Sequence, residues 1–369
     1  MDHRLNRHTS TPDTQAKLRF LRSRTAHPGI SGPIEAIETH MSWVVLAGER
    51  ALKLKKPVRT AFLDFSTVTA RERNAREELR LNRRLAPQVY LGLVALQWHD
   101  RRFRLVAETD LPAAGRTVDW LVLMQRLPSE CTLDRAISEG RVTRADIDAL
   151  IDVLAPFYRS AACASLGPDD YLARFRSEQA RNREVLLQER FALADAAPAL
   201  DGLDMALDAQ AAALSERVLQ HRLVDGHGDL RPEHVCLLRP PVVIDGLEFD
   251  ASLRQVDPFD ELMFLALECE MAGAAPWLVP HLLARCAAAL DDVPPTALLQ
   301  LYTASRALLR ARLSAAHLLD AQPRSPQKWL PRARRYLTRA CEALQACRPP
   351  TAHGSAPPCL MALPERVGK

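Results

Sequence analysis

Glycine is scarce in this chain, 14 of 369 residues, and its aromatics come to 10 Phe, 5 Tyr and 5 Trp. A polypeptide so poor in both, and visibly rich in Ala, Leu and Arg, favours helix over sheet, because unbranched side chains lose little rotamer freedom in a helix. Excess charge of one sign is also missing. Lys plus Arg number 49 and Asp plus Glu 45, a formal net charge of +4. So small a surplus over so long a chain gives no electrostatic footprint for a nucleic-acid partner. The eight cysteines include no CxxC pair, which argues against a structural zinc site and a disulfide framework; reduced thiols in a packed interior are expected. No stretch reaches the roughly 18 unbroken apolar residues that span a bilayer, and the opening MDHRLNRHTSTPDTQ lacks the apolar core of a secretory signal. A soluble cytoplasmic protein without a membrane partner is expected. The remaining composition, 47% apolar and 25% charged, is that of a globular chain with material for two lobes, which excludes general disorder and fibrous repeats.

Residues 1–33 are polar and basic and end in HPGISGP, the pattern of a flexible arm. From Ile34 the texture turns β-rich: AIETH, SWVVLAG and ALKLKKPV, with Gly48-Glu49 as a tight turn. Thr67 or Thr69 then caps a helix through about Leu85, with Arg73, Arg76, Glu77, Arg80 and Arg84 on a polar face and Leu79, Leu81 and Leu85 opposite. Further strands are expected over 91–99, 103–110 and 117–128. Beyond Pro128 the apolar spacing is helical over 132–139, 143–162, 169–190, 204–222, 258–272, 276–291, 295–320 and 327–347. Residues 348–369 combine Pro, Ala and Gly without periodicity and read as a disordered tail.

One stretch interrupts the helices, HGDLRPEHVCLLRPPVVIDGLEFD at 227–250. VCLLR and VVI are apolar strands joined at Pro240-Pro241, so an antiparallel pair would bring its open ends to one edge. Asp229 and His234 precede the first strand and Asp245 follows the second, so two carboxylates and an imidazole converge although sixteen positions separate the aspartates. Paired carboxylates repel unless a cation offsets them, and a divalent metal does so best, which points to Mg²⁺. The order of parts, a sheet with a lysine-bearing strand, a helix with acids, helices, His-Gly-Asp, hairpin and Asp, resembles the protein-kinase-like plan.

HGDLRPEHV and VVIDGLEFD resemble the catalytic and metal-binding loops of the aminoglycoside phosphotransferase-like branch of that fold. IETHMSWVVLAGERALKLKKPV, FLDFST, EELRLNRRLAPQVYLG, DGHGDLRPEH and VDPFDELMFLALE, matching in order from about Glu38 to Glu268, are similar to a bacterial group of "aminoglycoside phosphotransferase family" proteins. Some members carry a P-loop ATPase domain after the kinase-like region; this chain has no GxxxxGK[ST], and a single kinase-like region is expected. The resemblance implies an α+β, two-lobed fold: an antiparallel sheet lobe over 34–128 that binds nucleotide, and a mostly helical lobe over 129–347 that carries the loops at 227–250.

It also implies roles. Asp229 would accept or orient the proton of the substrate hydroxyl, and Asp245 would hold Mg²⁺ against the phosphates. The position five after the catalytic aspartate is usually Asn; here it is His234, a softer donor that suits Mn²⁺ or hydrogen-bonds Asp229. His227 would brace the loop, and Glu248 would reach metal or a substrate amine, or stand as a solvated turn acid. Strand alternation sets Lys53 and Lys55 on one face and Lys56 on the other; Lys55, with Lys53 as the alternative, would bind the phosphates, held by Glu78 or its neighbour Glu77. With no GxGxxG in the chain, the turn from Thr39 to Ser42 would meet phosphate, and the stretch Met124, Gln125 and Leu127 would be the adenine-contacting hinge. Asp257, Asp260 and Glu261 would cap the next helix and brace the catalytic loop. The implied activity is transfer of the γ-phosphoryl of ATP, or GTP as the alternative, to a small-molecule hydroxyl, with segments 165–222 walling the acceptor. A silent nucleotide-binding regulator and an AMP-transferring enzyme are the competing readings.

Overall fold

The computed structural model describes residues 12–59 and 63–347; the expected tail at 348–369 and positions 1–11 of the expected arm lie outside the described residues. Helix α1 (Thr14–Leu21) is followed by strands β1 (Ile34–Glu38), β2 (Ser42–Ala47) and β3 (Arg50–Lys55), helix α2 (Val68–Asn82), and strands β4 (Tyr90–His99), β5 (Arg102–Ala107) and β6 (Arg116–Gln125). Helices α3 (Leu133–Ser138), α4 (Arg144–Ser160), α5 (Pro168–Leu186) and α6 (Ala196–Leu219) come next. The short strands β7 (Val224–Asp225), β8 (Val235–Cys236), β9 (Val242–Val243) and β10 (Gln255–Val256) precede α7 (Pro258–Met271), α8 (Leu278–Leu290), α9 (Thr296–Ala316) and α10 (Trp329–Ala346). A small antiparallel sheet lobe and a mostly helical lobe follow from that order.

The main sheet is antiparallel throughout, in the order β1-β2-β3-β6-β4-β5. Gly48 makes the turn into β3 at φ 57°, a left-handed conformation that a side chain would oppose. Alternation feeds two cores. Val45, Leu52, Leu54 and Leu96 pack to one side, and Leu93, Ala95, Trp120 and Val122 to the other. Val118 joins the first set because the β4–β6 register shifts between Leu96 and Gln97; the extra residue flips the pleat locally.

Among the described residues 12–33, the first core corrects the reading of a flexible arm. Asp13 caps α1 by accepting from the Ala16 amide at 2.6 Å, and Leu18 and Leu21 are buried in that core. Lys17 is buried too, with Nζ 2.8 Å from Asp119 Oδ2 and 2.9 Å from the Val118 carbonyl. Arg71 of α2 donates to the same carboxylate at 2.7 and 3.0 Å. A helix of 8 residues with a single apolar pair facing inward leaves little periodic signal, and its polar neighbours concealed it.

Helix α2 starts where Thr67 accepts from the Ala70 amide. Its buried face is largely polar: Arg71, Asn74, Ala75, Glu78, Leu81 and Asn82. Each of these ionised groups is buried because a partner waits for it.

The chain divides into two compact units, Met1–Arg174 with Ala212–Pro294 and Phe175–Ala211 with Pro295–Lys369. That differs from a boundary at residue 128. The sheet lobe and the loops at 227–250 share buried ion pairs, described below, and therefore count as one body. In the second unit α9 and α10 pack together and bury Tyr302 and Tyr336. Among the described residues no helix is long and apolar enough to cross a membrane.

Asp119→Ala would leave Lys17 and Arg71 buried without their shared counter-charge. The expected loss is about 3–5 kcal/mol, read as a lower denaturant midpoint at unchanged slope; a loss below about 1 kcal/mol would mean that the pairs behave as surface pairs do.

Candidate active site

Strand alternation turns Lys53 and Lys55 to the face of β3 that α2 covers. Lys53, paired across to Val44 and Val122, places Nζ 2.8 Å from Glu78 Oε1 and 2.7 Å from Asp245 Oδ1. Lys55 Nζ lies 2.5 Å from Glu78 Oε2 and 2.6 Å from Glu248 Oε1. Glu78 is fully buried, and Oε1 faces Lys53 as an ion pair without hydrogen-bond alignment. Burial opposes its charge, yet Lys53 and Lys55 together hold its carboxyl below the usual range. Burial would likewise lower Lys53, but Asp245, Glu78 and Glu248 outweigh it and raise its pKa. Glu77 is elsewhere, paired with Arg80 at the helix surface. Lys56, on the opposite face, bonds Glu38 and the Thr39 carbonyl, each at 2.6 Å.

The β8–β9 hairpin brings the second set of groups to this edge. Gly228 sits at φ 87°, and a Cβ there would lie 2.9 Å from the Leu247 Cβ, so the loop closes only around glycine. Buried Glu261 of α7 accepts from the His227 amide at 3.1 Å and from the Gly228 amide, while Asp257 caps α7 through the Phe259 amide. His227 itself is buried and neutral, its pKa pushed down to about 4, mainly by desolvation. Its Nε2 bonds the Ile244 carbonyl at 3.0 Å and its Nδ1 accepts from the Asp229 amide at 3.3 Å. One tautomer, Nε2–H, satisfies both contacts.

His234 ties the two aspartates together. Its Nδ1 is 2.8 Å from the Asp229 carbonyl and 3.8 Å from Asp229 Oδ2; its Nε2 is 3.7 Å from Asp245 Oδ2. Asp245 occupies a left-handed conformation, φ 61°, its amide donating to the Tyr90 hydroxyl at 3.2 Å and the following Gly246 amide to Asn82 Oδ1 at 2.8 Å. Lys53 above all drives the Asp245 carboxyl far below the usual carboxylate range. Arg231, two residues after Asp229, reaches Asp229 Oδ2 at 2.9 Å, Glu233 at 2.7 Å and His234 Nε2 at 3.2 Å.

Other sequence-expected residues fall less directly. The Thr39 hydroxyl, on an exposed residue, closes its own turn with Ser42, whereas Ser42 is buried. In the expected hinge, Met124 pairs with Ala51 and Tyr90 inside the sheet, the Gln125 amide donates to Val89 at 2.8 Å, and Leu127 packs on the core beneath α2. Glu248 is no solvated turn acid: its side chain is 12% exposed and ion-paired to Lys55. Sequence reasoning missed Asn82, Tyr90 and Arg231. Asn82, four residues after Glu78 and so on its helical face, and Arg231, beside His-Gly-Asp, each carried a positional signal; Tyr90 carried none. A cavity of about 780 Å³ lies along the outer face of α2 and includes Glu248 and Phe249, but neither Lys53, Asp229 nor Asp245 lines it.

Among the described residues no group of three His, Cys, Asp or Glu side chains is arranged to hold a metal by itself. The donor set nonetheless fits a nucleotide-bound cation, because Mg²⁺ commonly takes one or two carboxylates and completes its shell with phosphate oxygens and water. The Asp245 side chain is 46% exposed and therefore accessible.

No protein-family model matches the chain. Among curated proteins it is 31% identical over 306 residues to uncharacterized proteins of Mycobacterium tuberculosis and Mycobacterium bovis, an alignment that covers 81% of this chain and 58% of each relative. The chain thus spans less than two thirds of the length of these relatives. Among solved structures, a choline kinase from Cryptosporidium parvum aligns with TM-score 0.54 at 11% identity, covering 90% of this chain and 97% of that one. A choline kinase from Streptococcus pneumoniae gives 0.51 at 14%, covering 89% and 99%. The chain therefore has the protein-kinase-like fold of these choline kinases.

The low pKa of His227 sets a pH dependence. Above about pH 6.5 the imidazole is neutral folded or unfolded; from there down to about 4 the unfolded chain binds a proton that the folded one refuses. Stability from this residue should fall by about 3 kcal/mol across that window and level off below it. His227→Asn should flatten the slope of unfolding free energy between pH 6.5 and 4; an unchanged slope would contradict a buried neutral imidazole.

Proposed function

We propose that the protein is a kinase that transfers the γ-phosphoryl group of ATP to a hydroxyl of a small molecule. The observation that carries this reading is a convergence: His234 lies within 3.8 Å of Asp229 and 3.7 Å of Asp245, and Asp245 is 2.7 Å from Lys53. An acid for the acceptor proton, an acid for a cation and an ammonium for phosphate then share one edge. Two choline kinases, acting on a small-molecule alcohol, have the same fold; that is an analogy and leaves the acceptor of this chain open to test.

Lys53 rather than Lys55 is the phosphate-binding lysine in this proposal, because its side chain is 14% exposed against 2% and it already touches Asp245. Asp245 holds the metal, and His234 Nε2, once released by Arg231, is the second donor, its ring oriented by the Nδ1 bond to the Asp229 carbonyl. A divalent cation bound there would neutralise charge on the phosphates. Arg231 occupies Asp229 Oδ2, which leaves Oδ1 to accept the proton of the acceptor hydroxyl as the hydroxyl oxygen bonds to the γ-phosphorus and the bond from that phosphorus to the bridging oxygen of ADP breaks. The Leu127 amide, next after Gln125 and Arg126, whose amides bond Val89 and Glu49, is the hinge donor for adenine.

ADP release with a panel of metabolite alcohols, in Mg²⁺ and in Mn²⁺, tests the reading. Asp229→Asn should lower kcat by about 10²–10⁴ with ADP affinity nearly unchanged, and Asp245→Ala should weaken metal-dependent ADP binding by about tenfold or more. Full turnover in Asp229→Asn would refute the mechanism. Metal-dependent ADP binding with no turnover on any acceptor would favour a silent nucleotide-binding module, and a target gaining AMP would favour nucleotidyl transfer.

His234→Asn exchanges a nitrogen donor for an amide oxygen and should shift the ratio of Mn²⁺-supported to Mg²⁺-supported ADP binding towards Mg²⁺. An unchanged ratio would remove His234 from the metal shell.

A further inference from the structure

Five ionisable side chains form one chain of alternating charge: Asp245, Lys53, Glu78, Lys55 and Glu248, with successive contacts of 2.7, 2.8, 2.5 and 2.6 Å. Its two ends differ in accessibility. At one, the Lys53 and Asp245 side chains are 14% and 46% exposed. At the other, Lys55 is 2% and Glu248 12% exposed, with Glu78 fully buried between them. Lys55 is further enclosed by Phe65, whose ring centroid is 5.3 Å from Nζ.

The proposal rests on the kinase reading above. Phosphate would claim Lys53 and a cation would claim Asp245, so the direct pair between them must open as ligand binds. That pair is also what draws the Asp245 side chain to the sheet. Once it opens, the Asp245 and Gly246 amides keep their bonds to Tyr90 and Asn82, but the segment 245–248 needs another side-chain link to β3 if Asp245 is to stay where the cation binds. Neither phosphate nor metal offers Lys55 or Glu248 a reason to separate, and parting them would leave the enclosed Glu248 carboxylate without its partner and Lys55 with Glu78 alone.

We propose that Lys55 and Glu248 are positioning residues: a permanent tether that holds the loop bearing Asp245 against β3 and α2 while Lys53 exchanges Asp245 for ligand. Glu78 is the shared pivot. The two lysines of β3 thus divide one task, the first binding and the second holding. The bond that the Gly246 amide donates to the Asn82 side chain anchors the same loop from the helix side, so the tether fixes a segment already close to its place.

Two measurements decide the matter. The first is hydrogen–deuterium exchange of the amides in 246–250 in the ligand-free protein, which needs no activity. Glu248→Gln and Lys55→Met should each raise the exchange rate there by about tenfold, equivalent to ~1.4 kcal/mol, with Lys55→Arg largely restoring protection; unchanged exchange in both variants overturns the tether. The second is calorimetric ADP affinity with and without Mg²⁺. Glu248→Gln should lower the Mg²⁺-dependent gain by about tenfold and metal-free affinity by less than about threefold, whereas Lys53→Met should lose metal-free affinity. Equal loss in both conditions for Glu248→Gln overturns the proposal. The double variant Lys55→Met/Glu248→Gln should be no weaker than the worse single variant, because Lys55→Met already removes the pair that Glu248→Gln removes. Absence of ADP binding in the wild type would defeat the kinase reading, and the exchange measurement would still decide the tether by itself.

Discussion

A fully buried carboxylate shared by two ammonium groups is the constraint on which this structure turns. Glu78 cannot remain ionised at that depth unless both Lys53 and Lys55 reach it. That requirement fixes the register of β3 against α2, since a one-residue slip would send both lysines to the opposite face. Each lysine then presents its charge to a second acid on the loop after β9. Sheet, helix and loop are thereby set by one carboxyl group, and the hairpin that delivers Asp229 and Asp245 docks against a surface already defined.

Helix α2 carries this arrangement along its length. Near its first turn Arg71 and Lys17 share Asp119, at its middle Glu78 takes the lysines, and at its last turn Asn82 receives the Gly246 amide. Just beyond, Arg84 bonds Asp225 and the Gly226 carbonyl. Polar contacts of this kind are directional, so they fix position more narrowly than an apolar face of equal area does. They join the sheet lobe to the loops at 227–250, which lie in the same compact unit.

How far the sequence disclosed this depends on the kind of signal. The strands of the sheet lobe were legible because alternation and the Gly48 turn report directly on pleated backbone, and the hairpin at 235–243 because two apolar runs flank a proline pair. Asp229 and Asp245 were legible as a pair because the hairpin brings its ends together. Helix α1 was not, since Leu18 and Leu21 are too few to make a period. The inward face of α2 was misread for a different reason: hydrophobic periodicity is blind to Arg71, Asn74, Glu78 and Asn82, whose burial depends on partners up to 164 positions away. The division of roles proposed for Lys53 and Lys55 was likewise out of reach, because alternation assigns both to one face and only the surrounding acids distinguish them.

Position 245 answers to two demands that few amino acids meet together. Its backbone lies at φ 61°, a conformation in which Asp and Asn are over-represented among residues with a side chain. Its carboxylate stands beside a lysine at the sheet edge. Asn would keep the shape and lose the charge, while Glu would keep the charge and sit poorly on the backbone. A substitution scheme that sorts residues by charge alone would therefore rank Glu as the mildest change here, whereas the fold itself selects against it.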